Sequence, residues 1–562
     1  MDRRIRQVAA LLTFVMLAIA ARAGYIQELR AEDIATYEPV SEVNPEARAR
    51  NPFRIFQECR WERGAILSLD GQVLAESVPA PEARRCHFER RYPRGGLAPH
   101  VVGQWSLHFG KTGLESAYNR QLVGDPVPPT SFADLLTERP RQGNNVVSTI
   151  DTRLQSVANE ALGGRRGGVV ALNPRTGAVY VAASNPSYDP NPLASNDRAV
   201  ATRARCELGI GVELDGSGNA VRDEQGQAVP CRNPHSPTLS VALQGRRPPG
   251  SSFKVVTAAA ALETGEWTAT SPSVPASRAY TAPGDTRPIG NFGGGSCGGN
   301  LIAAMRVSCN TAFARIAVDI GEDQLYATAQ AMGLDRVAGS GFVGCEGGAA
   351  SDIQETRTGC LPRALRTADR EERLSTAGYR ARAGFGQWVI QTSPFGMAMV
   401  AATIANGGFV PRPRFADRVI DPRTGETVEE IRTGVGAQAA STENARAVAE
   451  MMRQVVTNGT ASAAFRGSPH PVAGKTGTAQ QPSCSSDEQA IFGRNCGRLP
   501  HAWFIAFAPV EEPTIAVAVL VERGGGSSEA ATGGRFAAPI ARTVIEEFFR
   551  LYPNMATGGG QR

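Results

Sequence analysis

GSSFKVVTAAAALETG, at residues 250–265, is the stretch on which the reading of this chain turns. The preceding Pro248-Pro249 force a sharp entry into a helix expected to be buried on most faces. That helix carries one of only three lysines. Lys111, Lys254 and Lys475 stand among 59 basic residues, and all the others are arginine. Genome composition accounts for such a bias, but the bias is still a filter, because lysine can lose its proton in a protein and arginine cannot. Only Lys254 has a serine three residues ahead. Positions i and i+3 share a helix face, so Ser251 should hold its hydroxyl within reach of the Lys254 amine. A serine hydroxyl is a weak nucleophile until a base takes its proton. A lysine with a pKa of ~10.4 is a poor base at neutral pH, but burial or a second cation lowers that value. At the helix start the Ser251 N–H is left free as half of an oxyanion hole.

Working outward, Ser308-Cys309-Asn310 lies between two helical segments, where buried polar side chains need a reason. Ser308 can pass a proton towards a leaving group, and Asn310 can hydrogen-bond a substrate amide. Lys475-Thr476-Gly477-Thr478 sits in GKTGTAQ, which suits a short edge strand able to pair with an extended peptide. There Gly477 permits close approach, Lys475 with the Thr476 and Thr478 hydroxyls suits a terminal carboxylate, and the Thr478 N–H supplies the second oxyanion donor. The order Ser-x-x-Lys, Ser-x-Asn, Lys-Thr-Gly is an established signature of serine acyl-enzymes. A phosphate-binding loop is excluded at both Gly-Lys-Thr sites, because Trp105 and Pro469 stand where it needs glycine. Lys111-Thr112-Gly113 precedes the serine and reads as a surface or interdomain loop. GGSCG (294–298) and GSGFVG (339–344) match catalytic and nucleotide-binding patterns but lack the flanking strand or helix, and read as flexible loops.

A chain of 562 residues exceeds one hydrophobic core and implies two or three domains. The net charge of +5 is thinly spread, with no basic run interleaved with aromatics, which argues against nucleic-acid binding. Arg3, Arg4 and Arg6 precede an uncharged run at 8–21. As a helix that run spans only ~21 Å against a ~30 Å bilayer core, which suits a cleaved signal peptide. The alternative is an uncleaved anchor reaching about Ile26, with Arg22 snorkelling. Either way the remainder is exported. Ten scattered cysteines suit an oxidising compartment. The simplest pairing joins neighbours (59–86, 206–231, 297–309, 345–360, 484–496); the alternative is several free buried thiols. No metal site or cofactor is expected, since no cysteine pair or histidine cluster has ligand spacing.

Along the chain, 30–51 is polar and reads as a linker. WERGAILSLDGQVLAES (61–77) reads as a hairpin about Asp70-Gly71, within a β-rich module over about 30–155. With Asp151 as N-cap, a helix is expected to run to Gly163 or Gly164. Strands follow about a turn at 173–177, then a loop-rich stretch at 191–247. Helices are expected at 251–265, on both sides of Ser308, at 393–408 and at 536–551. A strand pair is expected at 502–522, and a frayed tail from Pro553. This is an α+β pattern, a sheet covered by helices with a helical lobe inserted in its middle.

PPGSSFK, VSCNTAF and GKTGTAQ resemble the active-site boxes of the penicillin-binding proteins. WERGAILSLDGQVLAES, RYPRGGLAPHVVG and KTGLESAYNRQLVG resemble the pedestal of the class B members, and the whole chain looks like an actinobacterial-type member. ANGG (405–408) and HAWFIAFAP (501–509) also fit. The resemblance implies a membrane signal-anchor at 1–26, a β-rich pedestal or dimerisation-type domain at 27–155, a transpeptidase domain at 156–552 and a tail at 553–562. It implies a peptidoglycan D,D-transpeptidase, acylated by β-lactams, single-pass in the cell membrane with its catalytic domain outside. Its partners would be stem peptides and membrane glycosyltransferase, cell-division or elongation proteins. No glycosyltransferase module precedes the pedestal, so a monofunctional enzyme is expected. The resemblance gives Ser251 as nucleophile, Lys254 as base, Ser308 and Lys475 as proton relay, and Asn310, Thr476, Gly477 and Thr478 as substrate contacts. GFGQWVIQTSPFGMA (384–398) departs from the family's Gly-Gln-Gly…Thr-Pro stretch, leaving the shape beside Lys475 open. Two rivals stand: a D,D-carboxypeptidase or serine β-lactamase, for which no deacylating glutamate is evident, and a non-enzymatic β-lactam sensor or wall scaffold, against which the intact serine and lysines argue.

Overall fold

The computed structural model describes residues 58–80, 86–124, 143–213, 219–233, 236–334, 377–387, 390–480, 496–526 and 531–556, with short pieces at 7, 12–19, 22, 215, 359–360 and 486–492. Among these no helix is long and apolar enough to cross a membrane. Residues 12–19 are helical, with Leu12, Phe14, Met16 and Leu17 exposed. The remainder of the expected anchor, the 30–51 linker and the GSGFVG stretch lie outside the described residues.

Local chemistry sets most element boundaries. β1 (Ile66–Leu67) and β2 (Val73–Pro79) pair antiparallel about the Asp70-Gly71 turn, where Gly71 takes a φ of 79°. β3 (Phe88–Arg91) and β4 (Asn145–Ser148) follow. Asp151 caps α1 (Thr152–Leu162) by accepting from the Arg153 and Leu154 N–H groups, and Gly163 ends it in the left-handed region. β5 (Gly167–Leu172) and β6 (Val179–Asn185) form an antiparallel pair. Then come α2 (Lys254–Glu263), α3 (Leu301–Arg306), α4 (Asn310–Ala331) and α5 (Pro394–Ala405). After β7 (Ala416–Ile420), β8 (Thr427–Glu430) and α6 (Thr442–Asn458), the chain closes with β9 (Ala473–Ala479), β10 (His501–Ala508), β11 (Ile515–Val521) and α7 (Ala538–Leu551).

The central sheet runs β9-β10-β11-β5-β6, antiparallel at every pairing. Its early strands and late strands are separated by the segment carrying α2 to α6, the inserted lobe that the sequence implied. β10 and β11 are buried at every position, so both sheet faces are covered. α5 packs against β5, β10 and β11, while α1 and α7 pack on each other and on the same sheet. β9 is the edge strand and meets α6 and the turn before α2.

The pedestal sheet, β8-β7-β4-β1-β2-β3, is not confined to the first 155 residues. β7 pairs antiparallel with β4, so a hairpin more than 250 residues downstream completes it. Glu115 is fully buried beside it, between Arg63 Nε and Arg90 Nε at 2.6 Å each. Burial opposes its charge, but the two guanidinium groups outweigh that and hold its carboxyl below the usual range.

Three readings change. Lys111 is not on a bare loop: it lies in the Gly110–Lys111 strand, and its ammonium pairs with Glu58 at 3.2 Å. That ion pair gives the early Lys-Thr-Gly a structural role. The chain does not fray at Pro553. Pro553–Met555 form a 3-10 turn, and the Thr514 hydroxyl donates to the Met555 carbonyl at 3.0 Å. GGSCG is partly ordered, because its Cys297 opens the Cys297–Gly299 strand and is bonded to Cys309. Disulfides also join Cys59 to Cys86 and Cys206 to Cys231, as neighbour pairing requires. Cys496 is disulfide-bonded too, whereas Cys345 and Cys484 lie outside the described residues.

Candidate active site

The residues before α2 form a 3-10 turn at Gly250–Phe253. In such a turn i and i+3 eclipse, which puts Ser251 and Lys254 on one side. The turn is pressed against β9. A Cβ on Gly477 would lie 2.5 Å from the Pro249 carbonyl oxygen, and one on Gly250, whose φ is +55°, would lie 2.7 Å from the Thr478 oxygen. Glycine at these two places is therefore what allows nucleophile turn and edge strand to touch. The approach to the turn is fixed as well. Arg247 exchanges backbone hydrogen bonds with Thr392, and Gly250 N–H donates to Gly386 O at 2.9 Å.

The two lysines converge on Ser308. Lys475 Nζ donates to Ser308 Oγ at 2.9 Å and to the Thr476 carbonyl at 2.8 Å. Lys254 Nζ donates to the Ser308 carbonyl and to Asn310 Oδ1, at 2.7 Å each, and lies 3.2 Å from Ser308 Oγ. Ser308 itself has a φ of 59°, unusual for a residue with a Cβ, and such strain persists only where the surroundings impose it. Here α3, α4 and the Cys297–Cys309 bond impose it.

The Lys254 amine is engaged away from the nucleophile. Ser251 Oγ makes no hydrogen bond with Lys254 among the described residues; the amine is taken up by Ser308 and Asn310 instead. Sequence spacing gave the shared side, but not which partner the amine would choose. Catalytic hydrogen bonds are often loose before substrate binds.

Both lysines are fully buried. Burial, and then the Lys475 cation, push Lys254 well below an ordinary lysine value. Burial alone lowers Lys475 to about 7. Both shifts favour the neutral amine, and Lys254, where the neighbouring cation adds to burial, is the member suited to accept a proton. A neutral amine has two N–H bonds and one lone pair. The two 2.7 Å contacts use the N–H bonds and leave the lone pair for a proton.

In front of the lysines opens a cleft of about 770 Å3, lined by Ser251, Ser308, Asn310, Thr476 and Thr478 among others. Thr478 faces it with its backbone. Its carbonyl is turned to accept from Gln387 Nε2 at 3.2 Å, and in an extended strand the N–H of the same residue points the same way. Asn310 Nδ2 donates to Gly290 O at 3.1 Å, which fixes its amide. The structure thus brings Ser251, Lys254, Ser308, Asn310, Lys475, Thr476, Gly477 and Thr478 into one place.

Three cleft residues escaped the sequence reading. Thr460 Oγ1 lies 2.6 Å from Thr476 Oγ1 and orients it. Gln387 belongs to the stretch that departs from the family pattern, yet it braces Thr478. Arg498 lies between β9 and β10, in a segment without periodic signal.

A fully buried lysine pair behind a serine, beside an edge strand with an outward N–H, defines a serine acyltransferase of the Ser-x-x-Lys type. Residues 167–546 match the penicillin binding protein transpeptidase domain, and residues 63–146 the penicillin binding protein A dimerisation domain. The chain belongs to the penicillin-binding protein transpeptidase family. It is 34% identical to the peptidoglycan D,D-transpeptidase PbpA of Mycolicibacterium smegmatis, over 98% of this chain and 99% of that one. Identity to PbpA of Mycobacterium tuberculosis is also 34%, over 89% and 91%. The solved penicillin G acyl-enzyme complex of penicillin-binding protein A from M. tuberculosis superposes with a TM-score of 0.67 at 32% identity, covering 87% of this chain and 100% of that one.

Proposed function

We propose that this chain is a peptidoglycan D,D-transpeptidase working through a Ser251 acyl-enzyme and inhibited by β-lactams. The observation that carries the assignment of roles is the convergence of two buried lysines on Ser308 Oγ behind a cleft that Ser251 lines. Ser251 Oγ attacks the carbonyl of the D-Ala–D-Ala bond, and neutral Lys254 takes its proton. The Ser251 and Thr478 N–H groups hold the oxyanion. On collapse the C–N bond breaks, and the departing D-Ala amine receives a proton from Ser308 Oγ, replenished by Lys475. An amine of a neighbouring stem peptide then attacks the acyl carbon and frees Ser251. Among the described residues no carboxylate lines the cleft. A β-lactamase that activates its deacylating water with a carboxylate would need one there, so this lining favours transfer over that rival.

The proposal includes a single-pass membrane anchor over 1–26 and a catalytic domain outside the membrane, in contact with membrane glycosyltransferase and division or elongation proteins. The basic residues before 8–21 and the exposed apolar side chains at 12–19 support it. The activity is tested by labelling the full chain in detergent with a fluorescent penicillin. A persistent label lost in Ser251→Ala is expected. Rapid turnover of the label would point to a β-lactamase instead, and a label that survives Ser251→Ala would remove the nucleophile.

A further inference from the structure

Thr478 carries one of the two N–H groups assigned to the oxyanion, on a strand that gives it little support. β9 is the edge of the central sheet, and Thr478 turns its backbone to the cleft, so the β10 ladder does not hold its outward groups. Its hydroxyl accepts from the Gly533 N–H at 3.4 Å, a long contact. Its carbonyl accepts from Gln387 Nε2 at 3.2 Å, and Gln387 itself lines the cleft.

Gln387 stands on a backbone that reaches the other oxyanion donor as well. It follows the Ala377–Ala383 helix, and its N–H donates to the Arg382 carbonyl at 3.1 Å. Thr257 Oγ1, on α2, donates to the Gly384 carbonyl at 2.8 Å. Gly250 N–H, next to Ser251, donates to the Gly386 carbonyl at 2.9 Å. A Cβ on Gly386, whose φ is +71°, would lie 2.3 Å from the Gly250 oxygen. Residues 384–387 therefore grip the nucleophile turn through their backbone and the edge strand through one carboxamide.

That carboxamide is costly to keep. Gln387 Oε1 is buried and has no hydrogen-bond partner among the described residues, and no other described side chain lining the cleft carries such an atom. Buried polar groups are nearly always paired. A methionine would fill a similar volume with no orphaned oxygen, so packing alone does not call for glutamine here. We infer that Gln387 is a positioning residue of the oxyanion hole. It holds Thr478 so that its N–H stays in line with that of Ser251, and the fold gives up stability to keep it. The inference rests on the acyl-transfer reading above.

The full chain in detergent is compared as wild type, Gln387→Met, Gln387→Glu and Ser251→Ala, by acylation with a fluorescent penicillin and by thermal melting without it. Gln387→Met should melt no lower than wild type yet acylate more slowly, by on the order of tenfold. The loss should fall on the rate at saturating penicillin rather than on the half-saturating concentration, because the oxyanion contact strengthens in the transition state. Gln387→Glu adds a readout that packing would not move. Its un-ionised carboxyl can donate to the Thr478 carbonyl as Nε2 does, whereas the carboxylate can only accept. Its acylation rate relative to wild type at the same pH should therefore fall as pH rises from about 5 to 8, while the ratio for Gln387→Met stays flat. Slower acylation with a lower melting temperature in Gln387→Met would make Gln387 a packing residue and overturn the inference, as would a Gln387→Met rate within about twofold of wild type. If Gln387→Met does not fold, the Gln387→Glu ratio decides alone, and a flat ratio overturns the inference. Label on Ser251→Ala would instead remove the acyl-transfer reading, whatever Gln387 does.

Discussion

Replacing Lys475 with methionine tests the electrostatic core of this site. The side chains are similar in length, but the ammonium is gone. Burial lowers Lys475 from an ordinary 10.5 to about 7, and at ~1.4 kcal/mol per tenfold in proton affinity the charged form is disfavoured by about 5 kcal/mol. The folded value lies below the unfolded one. The penalty is therefore full at pH values under about 7 and is relieved as pH rises from there towards 10.5, where the unfolded chain still binds a proton that the folded chain does not. Lys475→Met should melt higher than wild type at pH 6 to 7. The gain is partly offset by ~1–3 kcal/mol for the Thr476 carbonyl left without its donor. The melting temperature of wild type should climb more steeply between about pH 7 and 9 than that of the variant. The same substitution removes the cation that helps depress Lys254, so the acid limb of the acylation profile should move to higher pH as its maximum falls. Parallel melting profiles together with an unmoved acid limb would refute the coupling.

Gly477→Ala places a methyl group 2.5 Å from the Pro249 oxygen and 2.9 Å from Trp503 Cβ, so strand and nucleophile turn must separate. Acylation by penicillin should slow on the order of 100-fold; a rate within twofold of wild type would show that the close approach is dispensable. Glu115→Gln leaves Arg63 and Arg90 buried without their counter-charge and should destabilise the protein by ~3–5 kcal/mol. Thermal melting reads that loss, and acylation per folded molecule should not change, because the triad lies in the pedestal.

Much of the catalytic chemistry was legible because it is written in short local rules. A serine three residues before a lysine shares its side of a turn wherever the chain puts that turn. Asp151 and Gly163 bound α1 for local reasons, and Asp70-Gly71 makes its hairpin without outside help. Scarce lysines separated the functional positions from a background of arginine.

What only the tertiary structure decided depends on long-range packing. The spacing of Ser308 and Lys475 from Lys254 along the chain carries no information about distance in space. Both lysine nitrogens meet one hydroxyl because α2 packs on α4 and the turn before α2 packs on β9, and burial, joined at Lys254 by the Lys475 cation, lowers both amines. The hairpin at Ala416–Ile420 and Thr427–Glu430 completes a sheet whose other strands lie far upstream, a pairing that hydrophobic alternation in either segment cannot specify. Arg498 and Thr460 reach the cleft through turns rather than periodic elements, so their place in it exists only after the chain has folded.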